Sequence, residues 1–286
     1  MKLRRLSPLG LFAFCVAAFL VGPLLVVVMQ SLSAQGSTDV LQTGPSFKWF
    51  RQLGDEWPRW WAPLRSSLIV AVVTTIISVL AGLLAGIATA RHLGRLAPLT
   101  KLAILMPLIV PTVITGMALL AAFQGTPLLF SIGGVVAGHV VLTLPYAIFL
   151  VDRHVAQSNP DIERAAGTLG ASAWQTFRWI GLPMIAPAAI TAAVFVFYNS
   201  WEEVVVTSFI SGTSMKTLPV AIFEAIQNEV SPVLAALSTM LMIATILVAL
   251  VYLGLRRMVP KVRSRRLKHA EQHDSPRSES GRKATE

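Results

Sequence analysis

The chain has 286 residues, 54% of them hydrophobic and 13% charged, with 24 Lys and Arg against 14 Asp and Glu and a net charge of +10. A soluble domain carries roughly 25% charged residues, so half that share, with a positive mean hydropathy, excludes an ordinary water-soluble globule and points to lipid as the solvent. The single cysteine, Cys15, excludes an intrachain disulfide framework.

About 20 apolar residues cross the hydrocarbon core as a helix, and the first such run is Leu9 to Met29. Lys2, Arg4 and Arg5 before it and small residues from Ser31 to Ala34 after it resemble a secretory signal, but its 21 residues exceed the roughly 7 to 15 of a signal core. We read it as an uncleaved helix, kinked at Gly22 and Pro23, with Cys15 packed as a small hydrophobe. From Ser33 to Pro63 the chain runs outside the membrane, and from Pro45 it carries Phe47, Trp49, Phe50, Trp57, Trp60 and Trp61. Trp concentrates at the headgroup level, which predicts a short interfacial helix. An aromatic cage for a cationic solute is the alternative, although nothing in the spacing fixes the rings around one point.

The second span is Ser66 to Ala90, and Leu102 to Val151 follows with no Asp, Glu, Lys or Arg in 50 residues. As one helix that run would extend about 75 Å, so it folds back, and Gln124-Gly125-Thr126-Pro127 offers the turn. Ile185 to Trp201, or a little beyond, and Val233 to Leu255 complete six transmembrane helices. With the N-terminus inside, the inner side collects nineteen basic residues, including Arg91, Arg95, Lys101, Arg153, Arg164 and Arg178, against five outside, Lys48, Arg51, Arg59, Arg65 and Lys216. That asymmetry places both termini in the cytoplasm. The expected divisions are 1–64, first helix and interfacial segment; 65–255, the core, with a loop at 158–184; and 256–286, a basic tail. Arg256, Arg257, Lys261, Arg263, Arg265, Arg266 and Lys268 open that tail, which cannot bury enough apolar surface to order itself. Beside anionic lipid it gains about 1 kcal/mol per basic residue; membrane topology accounts for it without nucleic acid.

Between Asn159 and Pro183 the chain turns polar. Asn159 caps a helix, Pro160 suits its first position, and Asp161 and Glu163 favour its positive end. Ala165, Ala166 and Gly170 leave a shallow surface that a partner can approach closely. The first helix ends near Gly170, Ser172 to Ile180 forms a second, and Gly181-Leu182-Pro183 breaks it before the next span.

Ala165, Ala166, Gly170, Ile180, Leu182 and Pro183 stand at the spacing of the "EAA" loop of permease subunits from ATP-binding-cassette (ABC) importers, which this loop resembles. The family pattern has Glu where Arg164 stands here, with Glu163 one place earlier. The resemblance implies that the loop is a coupling helix that docks into a cleft of an ATPase subunit. Ser46 to Leu68, Pro107 to Pro111 and Asn199 to Gly212 further resemble the second permease of spermidine/putrescine-type importers, whose group carries polyamines, opines, aminophosphonates or iron. That likeness implies an all-α membrane fold with the core of the methionine and maltose permeases. It also implies a bacterial inner-membrane location and three kinds of partner: two ATP-binding subunits, a second permease chain and a periplasmic solute-binding protein.

Glu202 and Glu203 are the only acids within a predicted span, and ionisable groups there are rare and often functional. Either both reach the outer interface or bond Asn199, Ser200 or Trp201, or one carboxylate guides a cationic, polyamine-like solute. His139, also within a span, is expected to bond a neighbouring helix rather than a metal. The chain has no phosphate loop, no His-Glu-x-x-His and no Gly-x-Ser-x-Gly. It is therefore expected not to be an enzyme and to carry no cofactor, ATP and Mg being held by the partner. A secondary transporter or channel without an ATPase partner is the alternative.

Overall fold

The computed structural model describes residues 8–36, 44–91, 96–213, 215–228 and 231–258. Lys2, Arg4, Arg5, Arg95 and the tail beyond Met258 lie outside them. The described residues are helical apart from turns and one isolated bridge, Ser33 with Pro45. Two compact units form, Met1–Phe50 with Ala235–Glu286, and Arg51–Leu234.

In the first unit, α1 (Pro8–Leu32) turns Phe12, Phe14 and Phe19 outward, as suits a helix surrounded by lipid. Its end is held by polar contacts. Ser31 Oγ accepts from Thr239 Oγ1 at 3.1 Å, Ser46 N–H donates to the Leu32 carbonyl at 2.7 Å, and Trp49 Nε1 donates to the Ser33 carbonyl at 2.6 Å. Thr239 belongs to α12 (Pro232–Met258). A short helix, α2 (Lys48–Asp55), forms in the segment expected to hold one.

The second unit is built on α3 (Trp57–Arg91), which begins nine residues before the predicted Ser66. Trp60 is therefore part of the long helix and 2% exposed, not a headgroup anchor. Along α3, Ser67, Ala71, Thr74, Ser78, Gly82, Gly86 and Thr89 recur every three or four residues and are all buried. From Ser78 onward they face α6 (Ile132–Ala156). A Cβ on Gly82 would lie 2.6 Å from the Ala147 Cβ, one on Gly86 2.7 Å from that of Val151, and Ser78 Oγ bonds Thr143 Oγ1 at 3.0 Å. Lipid gives apolar faces no reason to associate, so close backbone approach and interhelical hydrogen bonds supply the adhesion. α9 (Leu182–Glu202) joins with its own four-residue stripe, Ala188, Ala192, Val196 and Ser200.

The uncharged stretch folds back where expected, with Gly125 at φ +74° and Thr126 N–H bonded to the Phe123 carbonyl. Its first half is not one helix. α4 (Ala97–Ile109) and α5 (Thr112–Phe123) are bent by 96° at Val110 and Pro111. Pro111 has no N–H for the ladder and forces Val110 extended, at ψ 128°.

The loop holds α7 (Asp161–Thr168) and α8 (Ala173–Thr176). The predicted break at Gly181-Leu182-Pro183 is absent. A π turn, Phe177–Gly181, carries α8 into α9 without interruption. Its wider ring, with Leu182 N–H bonded to the Phe177 carbonyl, relaxes the turn that Pro183 could not complete. Two shorter helices follow, α10 (Val205–Ile210) and α11 (Leu218–Asn228). Among the described residues four helices are long and apolar enough to cross a membrane, five if α4 and α5 form one bent span, and the apolar part of α12, Pro232–Leu247, is shorter.

Candidate functional site

Two places carry the predicted functional residues, the α7–α8 loop and a largely apolar cavity with a few polar groups between α4, α6 and α9. In the loop, Asn159 Oδ1 accepts from Asp161 N–H at 2.9 Å, and the cap position it was expected to fill is taken by Pro160, one residue later. At the other end Ala171 N–H bonds the Ala166 carbonyl at 3.1 Å and Gly170 N–H the Gly167 carbonyl at 3.0 Å. This double closure is a Schellman motif, which requires a left-handed residue, and Gly170 has φ +87°. α8 starts with a capping box, Ser172 N–H donating to Gln175 Oε1 and Gln175 N–H to Ser172 Oγ.

No residue of α7 is buried, and Leu169 is 87% exposed at its end. Trp174 and Trp179 are exposed as well, so large apolar side chains project from the most polar loop of the chain. The acidic and basic members of the motif part company. Glu163 turns inward to a part-buried ion pair with Arg91, whose other nitrogen donates to Ser158 Oγ at 3.2 Å. Arg164 turns outward and pairs with Asp161, both exposed. Ala165 is exposed, Ala166 and Ile180 are half-buried, and Leu182 and Pro183 are exposed at the start of α9.

The cavity has a volume of about 440 Å³, with Pro107 and Val110 of the bent pair on one side, Thr143 and Tyr146 of α6 on another, and Asn199 and Glu202 on a third. Glu203, although it also borders the cavity, is committed elsewhere. Its carboxylate accepts from Val206 N–H at 2.8 Å and from Thr207 N–H and Oγ1 at 2.9 Å, capping α10. Glu202 is exposed and lies beside the Tyr198 hydroxyl. Trp201 stacks on Phe197, 6.0 Å between centroids, and is not among the cavity's lining residues. His139 bonds neighbouring helices as expected, with Nδ1 2.7 Å from Ser200 Oγ and Nε2 2.7 Å from Thr207 Oγ1.

Asp152 escaped the sequence reading. α6 runs past Val151 to Ala156, so this acid lies within the helix and is 5% exposed, accepting from Thr89 Oγ1 at 2.9 Å and pairing with Lys101 at 2.9 Å. Its signal was available, since an acid directly after 50 uncharged residues is the natural last turn of a span.

Residues 78–264 match the family described as binding-protein-dependent transport system inner membrane component. The putrescine transport system permease protein PotI of Escherichia coli strain K12 is 28% identical over 260 residues, 88% of this chain and 92% of that protein. The spermidine/putrescine permease PotC of Haemophilus influenzae is 28% identical, over 82% of this chain and 91% of its own. The molybdenum permease ModB of Mycobacterium tuberculosis is 29% identical, over 72% and 85%. In fold the chain resembles a bacterial ABC transporter that imports the acidic polysaccharide alginate, with a TM-score of 0.62 at 16% identity over 88% of this chain and 95% of that one. The family match spans well over half the sequence and the relatives between 72% and 88% of it, so this chain belongs to the binding-protein-dependent transport system inner membrane components, as a permease subunit of an ABC importer in the bacterial inner membrane.

Proposed function

We propose that this subunit forms the translocation pathway for a small cationic solute of the polyamine class and couples it to a separate ATPase through the α7–α8 loop. Supporting the solute class is the lining of the cavity, which includes the carboxylates of Glu202 and Glu203 and, among the described residues, no Lys or Arg. With Glu203 spent on α10, Glu202, exposed and hydrogen-bonded to Tyr198, is the acid left to meet a solute, and Tyr146 and Asn199 add an aromatic face and an amide. Putrescine and spermidine relatives agree with a cation; the molybdenum relative shows that the family alone does not decide it.

The loop is the docking element in this reading. Arg164, Ala165, Ala166, Gly170, Ile180, Leu182 and Pro183 form or shape the face toward the ATPase, whose ATP and Mg stay on that partner. Glu163 holds the loop from behind. Six spans, with α4–α5 as the bent third and α12 as the sixth, put both termini and the loop 158–184 in the cytoplasm, the core over 65–255 and the basic tail 256–286 against the inner leaflet. A second, related permease chain completes the pathway, with two ATPases and a periplasmic binding protein.

The test is purification of the assembly with subunit counting, followed by uptake of labelled putrescine into proteoliposomes. A cation competitor should block uptake and an inorganic oxyanion should not. Two copies of this chain in an active importer would refute the heteromer, and oxyanion transport would refute the solute class.

A further inference from the structure

The outward-facing loop raises the question of how a push on it reaches the membrane helices. Among the described residues, the side-chain bonds of α7 stay within the helix, Arg164 to Asp161 and Thr168 to the Ala165 carbonyl, with one exception: Glu163 to Arg91. Behind α7 lies a cavity of about 470 Å³ bordered by Ile87, Val155, Phe177 and Gly181, with Arg91 and Glu163 in its wall. The helix therefore lies over an open cleft and buries no side chain against α3. Its covalent routes into the membrane run back through Gln157 to Pro160 into α6 and forward through α8 and the π turn into α9; its lateral route to α3 is this ion pair.

We propose that the Arg91–Glu163 ion pair is the strut by which movement of α7 reaches α3, and that the load passes on through Thr89 and Asp152 to Lys101 at the base of the bent span. The inference rests on the reading of the loop as the ATPase-docking element. Each link is present. Arg91 is in the last turn of α3 and is gripped from two sides, by Glu163 and by Ser158. A guanidinium fork held at both nitrogens transmits direction as well as force. α3 cannot slide independently of α6, because Gly82 and Gly86 place its backbone directly on Ala147 and Val151. Two residues before Arg91, Thr89 donates to Asp152, and Asp152 pairs with Lys101 of α4. α4 then ends at the break whose residues Pro107, Leu108 and Val110 line the cavity that contains Glu202. A contiguous set of bonds thus joins the loop to the cavity, and coupling along it is measurable by double-variant cycles.

The experiment uses the complete importer in proteoliposomes with its binding protein as purified from cells. It measures retention of the ATPase subunit on the permease and stimulation of ATP hydrolysis by the binding protein. Arg91→Glu and Glu163→Arg alone are each expected to keep the ATPase subunit bound and to lower stimulation about tenfold, within the usual span of coupling energies. The double reversal should recover to within about threefold of wild type, and Arg91→Lys, which keeps the charge but not the two-sided grip, should fall between wild type and the single reversals. Wild-type stimulation in either single reversal overturns the inference, and so does an assembled double reversal no better than the singles. Loss of the ATPase subunit from the Glu163 variant would assign that residue to the docking face, overturning the strut while leaving the docking reading intact. That reading fails separately if Gly170→Asp retains the ATPase subunit with normal stimulation. Should Arg91→Glu not reach the membrane, Arg91→Gln replaces it, and normal stimulation in that variant equally overturns the strut.

Discussion

Asp152 and Lys101 meet at 2.9 Å across the ends of two helices, with the carboxylate side chain 7% exposed and the ammonium side chain 40%. Breaking a buried ion pair by removing one partner costs about 3–5 kcal/mol. Here Lys101 can retreat to water, so Asp152→Ala should fall below that range, while Thr89→Val, which removes one hydrogen bond, should cost about 1 kcal/mol. Thermal unfolding of the detergent-purified complex checks both, and equal losses would mean that the ion pair adds nothing to the hydrogen bond.

Gly170 separates conformation from contact. A Cβ there meets nothing within 4 Å, so any penalty comes from φ +87° alone. A non-glycine residue in that region costs about 1–2 kcal/mol, and Asn tolerates it better than most. Gly170→Asn should therefore transport better than Gly170→Ala, and Gly170→Asp should lose uptake while membrane expression persists. Identical uptake by the Asn and Ala variants would show that the loop does not depend on this helix end.

The two adjacent glutamates should behave differently. Glu203→Ala removes a helix cap, at about 0.5–2 kcal/mol, and should lower the melting temperature of the complex. Glu202→Gln should leave melting unchanged and raise the solute concentration needed for half-maximal uptake. If Glu202→Gln transports cationic solutes as wild type does, the charge in the cavity is not part of recognition.

Gly86 tests the small-residue stripe. A Cβ there would lie 2.7 Å from the Val151 Cβ and 3.0 Å from the Ile148 carbonyl oxygen. Overpacking of this kind costs about 1–3 kcal/mol, so Gly86→Val should reduce the yield of folded protein, whereas Gly22→Val, in the open first helix, should not. Equal yields would place α3 and α6 farther apart than described.

The caps, turns and apolar runs of this chain were legible in its sequence; the packing faces of those runs and the long-range polar pairs were not. Asn159, Pro160, Gly170 and the Gln124-to-Pro127 turn announced themselves because caps and turns demand particular residue types. α3 gave no comparable contrast. In lipid both faces of a helix are apolar, so hydropathy does not tell the face against α6 from the face toward lipid, and the signal was the spacing of Ser78, Gly82 and Gly86 instead. Glu202 and Glu203 were found as a pair, but their division of labour depends on Glu203 meeting the N–H groups of α10, a helix too short to project from pattern. The ion pairs of Arg91 and Asp152 join residues 72 and 51 positions from their partners, beyond the reach of local reasoning.

The π turn at Phe177–Gly181 gives the helix from Ala173 to Glu202 one surplus residue, and with it a change of phase. Each residue of an α-helix advances the azimuth by about 100°, so everything before the turn is rotated by roughly that angle from where α9, continued backward, would put it. A helical wheel drawn through the whole segment therefore assigns Trp174 and Gln175 to the wrong side. The exposed half can change its composition without disturbing the stripe from Ala188 to Ser200, because the two ends of one rod obey separate registers. A one-residue deletion between Phe177 and Gly181 would merge those registers, turning the loop's outward face around the axis while removing no side chain from either half.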